Sequence, residues 1–195
     1  MRKLLFLHTD TVSRETLTAW LSELPDWRRE AALRFRFHSK QAECAKSYLM
    51  LCELLKEEYG IDGKPSFVIG EHGKPSLREH PEIHFSMSHC RKGILCVVDT
   101  QPVGCDIEKF PEKLKESLID YCMNADEKEA IMSAQNPNAE FARLWTMKEA
   151  LGKLSGEGIG KNLPNMLSKE TTEQTEIETC VDENEGFAYS ICHYL

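Results

Sequence analysis

Val103-Gly104-Cys105-Asp106-Ile107-Glu108 reads as a β-strand with two unlike faces. Alternation along an extended chain puts Val103, Cys105 and Ile107 on one side and Asp106 with Glu108 on the other. The strand opens the second half of a 195-residue chain, and the segments on either side of it are arranged alike. Upstream, Lys3 to His8 reads as a buried strand, residues 13 to 24 as a helix capped by Ser13 and ended near Pro25, and residues 26 to 37 as a second helical stretch. From Ser39 to Tyr59 the apolar positions Ala42, Ala45, Leu49, Cys52 and Leu55 recur at helical spacing, with Gly60 as the stop. A short strand at Ser66 to Ile69 and a Gly73-Lys74-Pro75 turn follow, then strands at Ile83 to Ser88 and Ile94 to Asp99 joined by a His89-to-Gly93 loop that suits a hairpin.

Downstream, residues 112 to 122, 125 to 134 and 138 to 154 read as helices, the last with Phe141, Leu144, Trp145 and Leu151 on its apolar side and Gly156 and Gly158 to break it. Strands at about 176 to 181 and 187 to 194 end the chain. The expectation is an α+β fold of two similar lobes, residues 1–100 and 101–195, each a small sheet packed on one long helix.

Composition narrows the class. With 41% hydrophobic and 29% charged residues the chain is ordinary globular protein, which excludes a disordered tail, a collagen and a coiled coil. No apolar run approaches the ~18 residues that span a bilayer, and Leu4-Leu5-Phe6-Leu7 is cut short by His8 and Asp10. A soluble, cytoplasmic protein with no membrane attachment is expected. Eight cysteines lie in apolar segments without a C-x-x-C pair and read as reduced, mostly buried thiols. The histidines have no closely spaced cysteine pair to complete a zinc site with them, so any metal would be held by carboxylates.

The net charge of -8 argues against nucleic-acid binding. It is unevenly spread: residues 1–100 carry 15 basic and 14 acidic side chains, residues 101–195 carry 9 and 18. The basic groups gather at Arg28, Arg29, Arg34, Arg36, Lys40 and Lys46, a run that also describes a solvated helix face.

Three strings carry possible chemistry. Asp106 and Glu108 lie about 7 Å apart along their strand, close enough to share one hard cation such as Mg²⁺, although an exposed strand face has the same pattern. Trp145, Glu149 and Lys153 fall at i, i+4 and i+8 on one helix stripe. A Glu-to-Lys surface pair would look alike, but Trp145 is a residue expected to be buried and so draws the stripe toward a cleft. In Ser86-Met87-Ser88-His89-Cys90, neighbours on a strand face opposite ways, which excludes a nucleophile–base pair and leaves Ser88 or His89 as phosphate or hydroxyl contacts, or as ordinary turn residues. Gly156-Glu157-Gly158-Ile159-Gly160 follows a helix and does not open one, so it reads as a helix stop, and neither a Walker A motif nor a dinucleotide fingerprint is found.

In chain order, Gly73-Lys74-Pro75, Phe85-Ser86-Met87-Ser88-His89, Val103-Gly104-Cys105-Asp106-Ile107-Glu108 and Trp145-Thr146-Met147-Lys148-Glu149-Ala150-Leu151-Gly152-Lys153 resemble the signature of the 4′-phosphopantetheinyl transferases of the two-lobed, surfactin-synthetase type. The resemblance implies lobes related by a pseudo-two-fold axis, coenzyme A as substrate in the cleft between them, and transfer of phosphopantetheine to a serine of an apo acyl or peptidyl carrier protein, with release of adenosine 3′,5′-bisphosphate. It implies Asp106, Glu108 and Glu149 as ligands of Mg²⁺, and Lys74, Ser88 and His89 as contacts to the nucleotide and its phosphates.

Glu149, directly or through a metal-held water, is then the candidate proton acceptor, and Lys153 the group that stabilises the leaving phosphate. The chain departs from the family at Glu43 and Cys44, where a basic residue is common, and Arg29 or Lys46 is the expected substitute for the 3′-phosphate contact. Phe110, Lys113, Leu114 and Lys115 combine apolar and basic character as a carrier-protein surface would, or pack on their own lobe. A monomer suffices for such a cleft. A silent coenzyme A or nucleotide-binding protein, or a Mg²⁺-dependent phosphohydrolase, would reuse many of the same groups, but the phosphohydrolase would need a water-activating histidine near the acids.

Overall fold

The computed structural model describes residues 1–160 and 162–195. The first half begins with strand β1 (Arg2–Leu7) and continues through α1 (Arg14–Glu23), α2 (Asp26–Leu33) and α3 (His38–Tyr59). Next come a two-stranded ribbon, β2 (Phe67–Ile69) with β3 (Pro75–Leu77), and the hairpin β4 (His84–His89) and β5 (Gly93–Asp99). The second half begins with β6 (Val103–Lys109), followed by α4 (Glu116–Cys122), α5 (Ala125–Ser133), α6 (Pro137–Ser155) and α7 (Lys169–Glu173), and ends in the hairpin β7 (Thr175–Asp182) and β8 (Phe187–Tyr194). The fold is therefore mixed α+β.

Two antiparallel three-stranded sheets carry it, in the orders β1-β5-β4 and β6-β8-β7. Each is a first strand paired with the last strand of its half, which in turn pairs with its hairpin partner. β5 is buried on both faces. Ile94, Cys96 and Val98 meet Met50, Leu51, Leu54 and Leu55 of α3, while Leu95 and Val97 meet Val103, Cys105 and Ile107 of β6 and Phe187 and Ile191 of β8. The continuous apolar run Ile94–Val98 is what a strand covered on both sides requires.

Local chemistry explains most boundaries. Ser13 caps α1 by accepting from the Thr16 N–H at 3.1 Å, and Gly60 ends α3 in the left-handed conformation. α2 ends at Leu33, four residues before the periodicity does, because the chain must turn to bring Ala32 against Ala42 and Ala45, all fully buried. α4 starts at Glu116, later than expected, and no side chain caps it. The strand β3 and the five-residue α7 gave no pattern long enough to read.

Gly104 fixes the relation of α6 to its sheet. A Cβ there would come within 2.1 Å of the Ala150 carbonyl oxygen and 2.5 Å of the Leu154 nitrogen, so the helix backbone rests directly on β6. That contact brings the last two turns of α6 alongside Asp106.

Candidate active site

The two sheets abut along β4 and β6, and two serines stitch the seam. Ser86 Oγ accepts from the Cys105 N–H at 3.0 Å, and Ser88 Oγ donates to Asp106 Oδ1 at 2.6 Å. Asp106 is only 3% exposed, so this face of β6 is a covered seam and not an open strand face. Lys153, brought in by α6, donates to the same Oδ1 at 2.7 Å. Asp106 Oδ2 is buried with no hydrogen-bond partner among the described residues.

The other two acids complete a strained electrostatic group. Burial, then the charges of Asp106 and Glu149, push the Glu108 carboxyl up to about 7, with Lys153 and Lys40 opposing. Glu149 is raised by burial and by Asp106. Burial opposes the charge of Lys153, yet Asp106 beside it keeps the ammonium above its ordinary range.

Three carboxylates, Glu108 and Glu149 each raised by burial and by the charge of Asp106, and Asp106 with a lone buried oxygen, are in kind the donor set of a hard divalent cation. Asp106, Glu108 and Glu149 are the residues that could hold it. In the arrangement described, the ammonium of Lys153 serves as the counter-charge, and no three acidic, histidine or cysteine donors among the described residues converge on one point.

Two hollows flank this group. One, of about 270 Å³, lies between the β3 turn, β4 and the end of α6, and is lined by Lys74, Pro75, Phe85, Met87, Lys153 and Gly156 among others. Lys74 crosses it to donate to the carbonyls of Leu154 at 3.0 Å and Val103 at 3.3 Å, and burial lowers its pKa. The second hollow, of about 370 Å³, is lined by Arg28, Ala31, Arg34, Phe35, Lys40, Cys44 and His89, a markedly basic set.

The expected residues thus fall into two groups. Asp106, Glu108, Glu149, Lys153, Ser88, Lys74 and His89 gather along the seam and its two hollows. Arg29 and Lys46 do not. Arg29 pairs with Asp26 on the outer face of α2, and Lys46 lies over the rings of Phe6 and Trp20 at 5.3 and 5.6 Å.

One residue of rotation, about 100° on a helix, separates Arg29 from Arg28. The latter faces α3 and donates to the Cys44 carbonyl at 3.0 Å. Trp145, expected to be buried, is half-exposed and stacks on Phe141 with ring centroids 6.3 Å apart, lining an apolar groove beside Glu108 with Pro111 and Leu118.

The buried residue of that string is Lys148. It is wholly buried and donates to Glu127 Oε2 at 2.8 Å and to the carbonyls of Leu163 at 2.8 Å, Cys122 at 3.0 Å and Pro164 at 3.1 Å. The reading from sequence also passed over Glu43, only 1% exposed, which accepts from Lys40 at 2.6 Å and meets His89 Nδ1 at 3.0 Å. The available signal was a carboxylate in the run Ala42-Glu43-Cys44-Ala45, on a helix face where apolar residues predominate.

Fold and site together define an α+β protein whose two sheets enclose a seam of carboxylates and lysines, open to basic and apolar hollows that suit a phosphorylated ligand. Residues 102–194 match the sequence model of the 4′-phosphopantetheinyl transferase superfamily. The 4′-phosphopantetheinyl transferase psf-1 of Bacillus pumilus is 32% identical over 145 residues, covering 73% of this chain and 62% of the relative. A 4′-phosphopantetheinyl transferase of Bacillus subtilis is 33% identical over 139 residues, 68% of this chain and 60% of the relative. AcpT of Salmonella typhi is 36% identical over 115 residues, 53% and 59% of the two chains. These matches bear out the resemblance carried by the four motifs: the chain is similar in sequence to 4′-phosphopantetheinyl transferases, and it spans about three fifths of the length of the first two named.

Proposed function

We propose that the protein transfers 4′-phosphopantetheine from coenzyme A to a serine of an apo acyl or peptidyl carrier protein, releasing adenosine 3′,5′-bisphosphate. The observation that carries this reading is the seam itself: Asp106, Glu108, Glu149 and Lys153 meet there on two motifs that resemble the transferase signature. Asp106, Glu108 and Glu149 would hold Mg²⁺, which when bound neutralises the pyrophosphate and polarises it toward attack.

The chain's own groups do the rest. Glu149, on the helix face that meets Asp106 and Lys153, takes the serine proton at its carboxylate or through a water beside it. Lys153 stabilises charge on the departing phosphate, and Ser88 holds Asp106 in register. Lys74, Ser88 and His89 contact the nucleotide and its phosphates. Arg28, Arg34 and Lys40, in the basic hollow with His89, are better seated for the 3′-phosphate than Arg29 or Lys46.

The architecture behind this reading is a pair of lobes, residues 1–100 and 101–195, related by a pseudo-two-fold axis. The repeated strand order supports it; β4 packs against β6 through the serines, and Lys3 of β1 reaches the other sheet by pairing with Glu178 and approaching the Tyr189 hydroxyl at 3.4 Å. The carrier protein would dock where exposed Lys113 and Lys115 flank the groove of Pro111, Leu118 and Trp145, matching an acidic partner. Eight free cysteines suit a reducing cytoplasm, and one chain supplies every group named, so a monomer suffices. No described helix is long and apolar enough to cross a membrane.

Intact-mass analysis of apo carrier proteins incubated with coenzyme A, Mg²⁺ and the protein tests the proposal. A carrier that gains one phosphopantetheine is the expected result. Coenzyme A cleavage without carrier would favour the phosphohydrolase, and coenzyme A binding with no turnover on any carrier would favour the silent binding protein.

A further inference from the structure

Glu43 lies inside the first turns of α3, 1% exposed, and one oxygen of its carboxylate serves two cations or donors. Oε2 accepts from Lys40 Nζ at 2.6 Å and lies 3.0 Å from His89 Nδ1. Burial alone would raise this acid, yet the hydrogen bonds of His89 and Lys40 hold it below the ordinary carboxylate range. An ionised carboxylate only accepts hydrogen bonds, so the proton facing it must sit on Nδ1. The opposite ring nitrogen, Nε2, is bonded to nothing among the described residues, and the ring borders the hollow shared by Arg28, Arg34 and Lys40.

We propose that Glu43 is a positioning residue: pinned by Lys40, it fixes the Nδ1–H and the tilt of His89 so that Nε2 faces the anionic ligand of the basic hollow and, on taking a second proton from solvent, donates it to that ligand as an imidazolium N–H. The inference rests on the coenzyme A reading of that hollow. Glu43 touches no ligand itself and acts through the imidazole, as carboxylates behind metal-bound histidines do.

Two measurements test it. In the free wild-type protein, long-range ¹H–¹⁵N NMR, with His89 assigned by its loss in His89→Ala, should find the neutral ring as the Nδ1–H tautomer; a dominant Nε2–H tautomer overturns the inference whatever the activity. In transfer kinetics, Glu43→Ala should raise KM for coenzyme A about tenfold or more, the scale of one charged hydrogen bond, with kcat within about twofold.

His89→Ala should do the same, and Glu43→Ala/His89→Ala should be no worse than His89→Ala. Glu43→Gln keeps an acceptor for Nδ1–H and should recover most of the affinity. Additive single effects, an unchanged KM in Glu43→Ala, or a glutamine variant as weak as the alanine one would each overturn the positioning role. If instead the wild-type protein binds no coenzyme A, the functional reading fails first and takes this inference with it.

Discussion

Replacing Lys153 with methionine isolates the charge that balances the seam. The substitution keeps most of the stem and removes the ammonium 2.7 Å from Asp106 Oδ1. Asp106 is 3% exposed, whereas the Lys153 side chain retains 31% of its surface, so water reaches one partner and not the other. Breaking a fully buried pair from one side costs about 3 to 5 kcal/mol because a charge is left behind; partial access of solvent to Lys153 reduces this to about 2 to 3 kcal/mol. For a chain of this size that is a fall in Tm of roughly 5 to 10 °C.

Adding Asp106→Asn removes the stranded charge, and the double variant should return to within about 1 kcal/mol of the parent. The assay is urea unfolding at pH 7 without divalent cations, on the parent, both single variants and the double. A Lys153→Met variant within about 0.5 kcal/mol of the parent, with no coupling to Asp106, would show that the ammonium is not the counter-charge of the seam.

Three further outcomes follow from the same geometry. Glu108, at about 7 when folded against 4.5 unfolded, keeps a proton that the unfolded chain gives up; its stabilising contribution is complete below pH 4.5 and is lost as pH rises through 7. Glu108→Gln should therefore match the parent at pH 4 and exceed it by about 1 to 2 kcal/mol at pH 8 without metal, and parallel Tm curves across that range would contradict it. Gly104→Ala should cost about 3 kcal/mol or more, since the added carbon meets helix backbone at 2.1 Å, and a normally stable variant in thermal unfolding would refute the seating of α6. Arg28→Ala should lose about tenfold in preference for coenzyme A over dephospho-coenzyme A, the scale of one charged contact, while Arg29→Ala keeps it; calorimetry with the two ligands decides.

What the sequence disclosed, and what it withheld, follows from distance along the chain. Strands such as Ile94–Asp99 and helices such as His38–Tyr59 announce themselves by local periodicity, and the four motifs lie along the seam and the hollow beside it. Arg29, expected as a 3′-phosphate contact, lies outside the lining of the basic hollow while Arg28 is part of it, because neighbouring helix positions differ by a rotation that only the packing partner selects; Tyr48, Cys44 and Ser47 of α3 hold Arg28. Glu43 was invisible as a site residue since its partner His89 stands 46 positions away on another element. Trp145 and Lys148 exchanged the burial expected from their chemistry: the lysine found four acceptors in the interior, and the ring pair Phe141–Trp145 was left at a groove.

The seat of Lys148 also bears on how freely this half of the chain can drift. Three of its four acceptors are main-chain carbonyls, of Cys122, Leu163 and Pro164. A carbonyl survives any substitution that preserves the path of the chain, so most changes of side chain there leave the socket standing. Only Glu127, which also closes the cap of α5 with Asn124, ties the seat to a particular side chain. The mid-section of α6, and with it Glu149 one residue further on, is anchored by backbone course at three points and by residue identity at one.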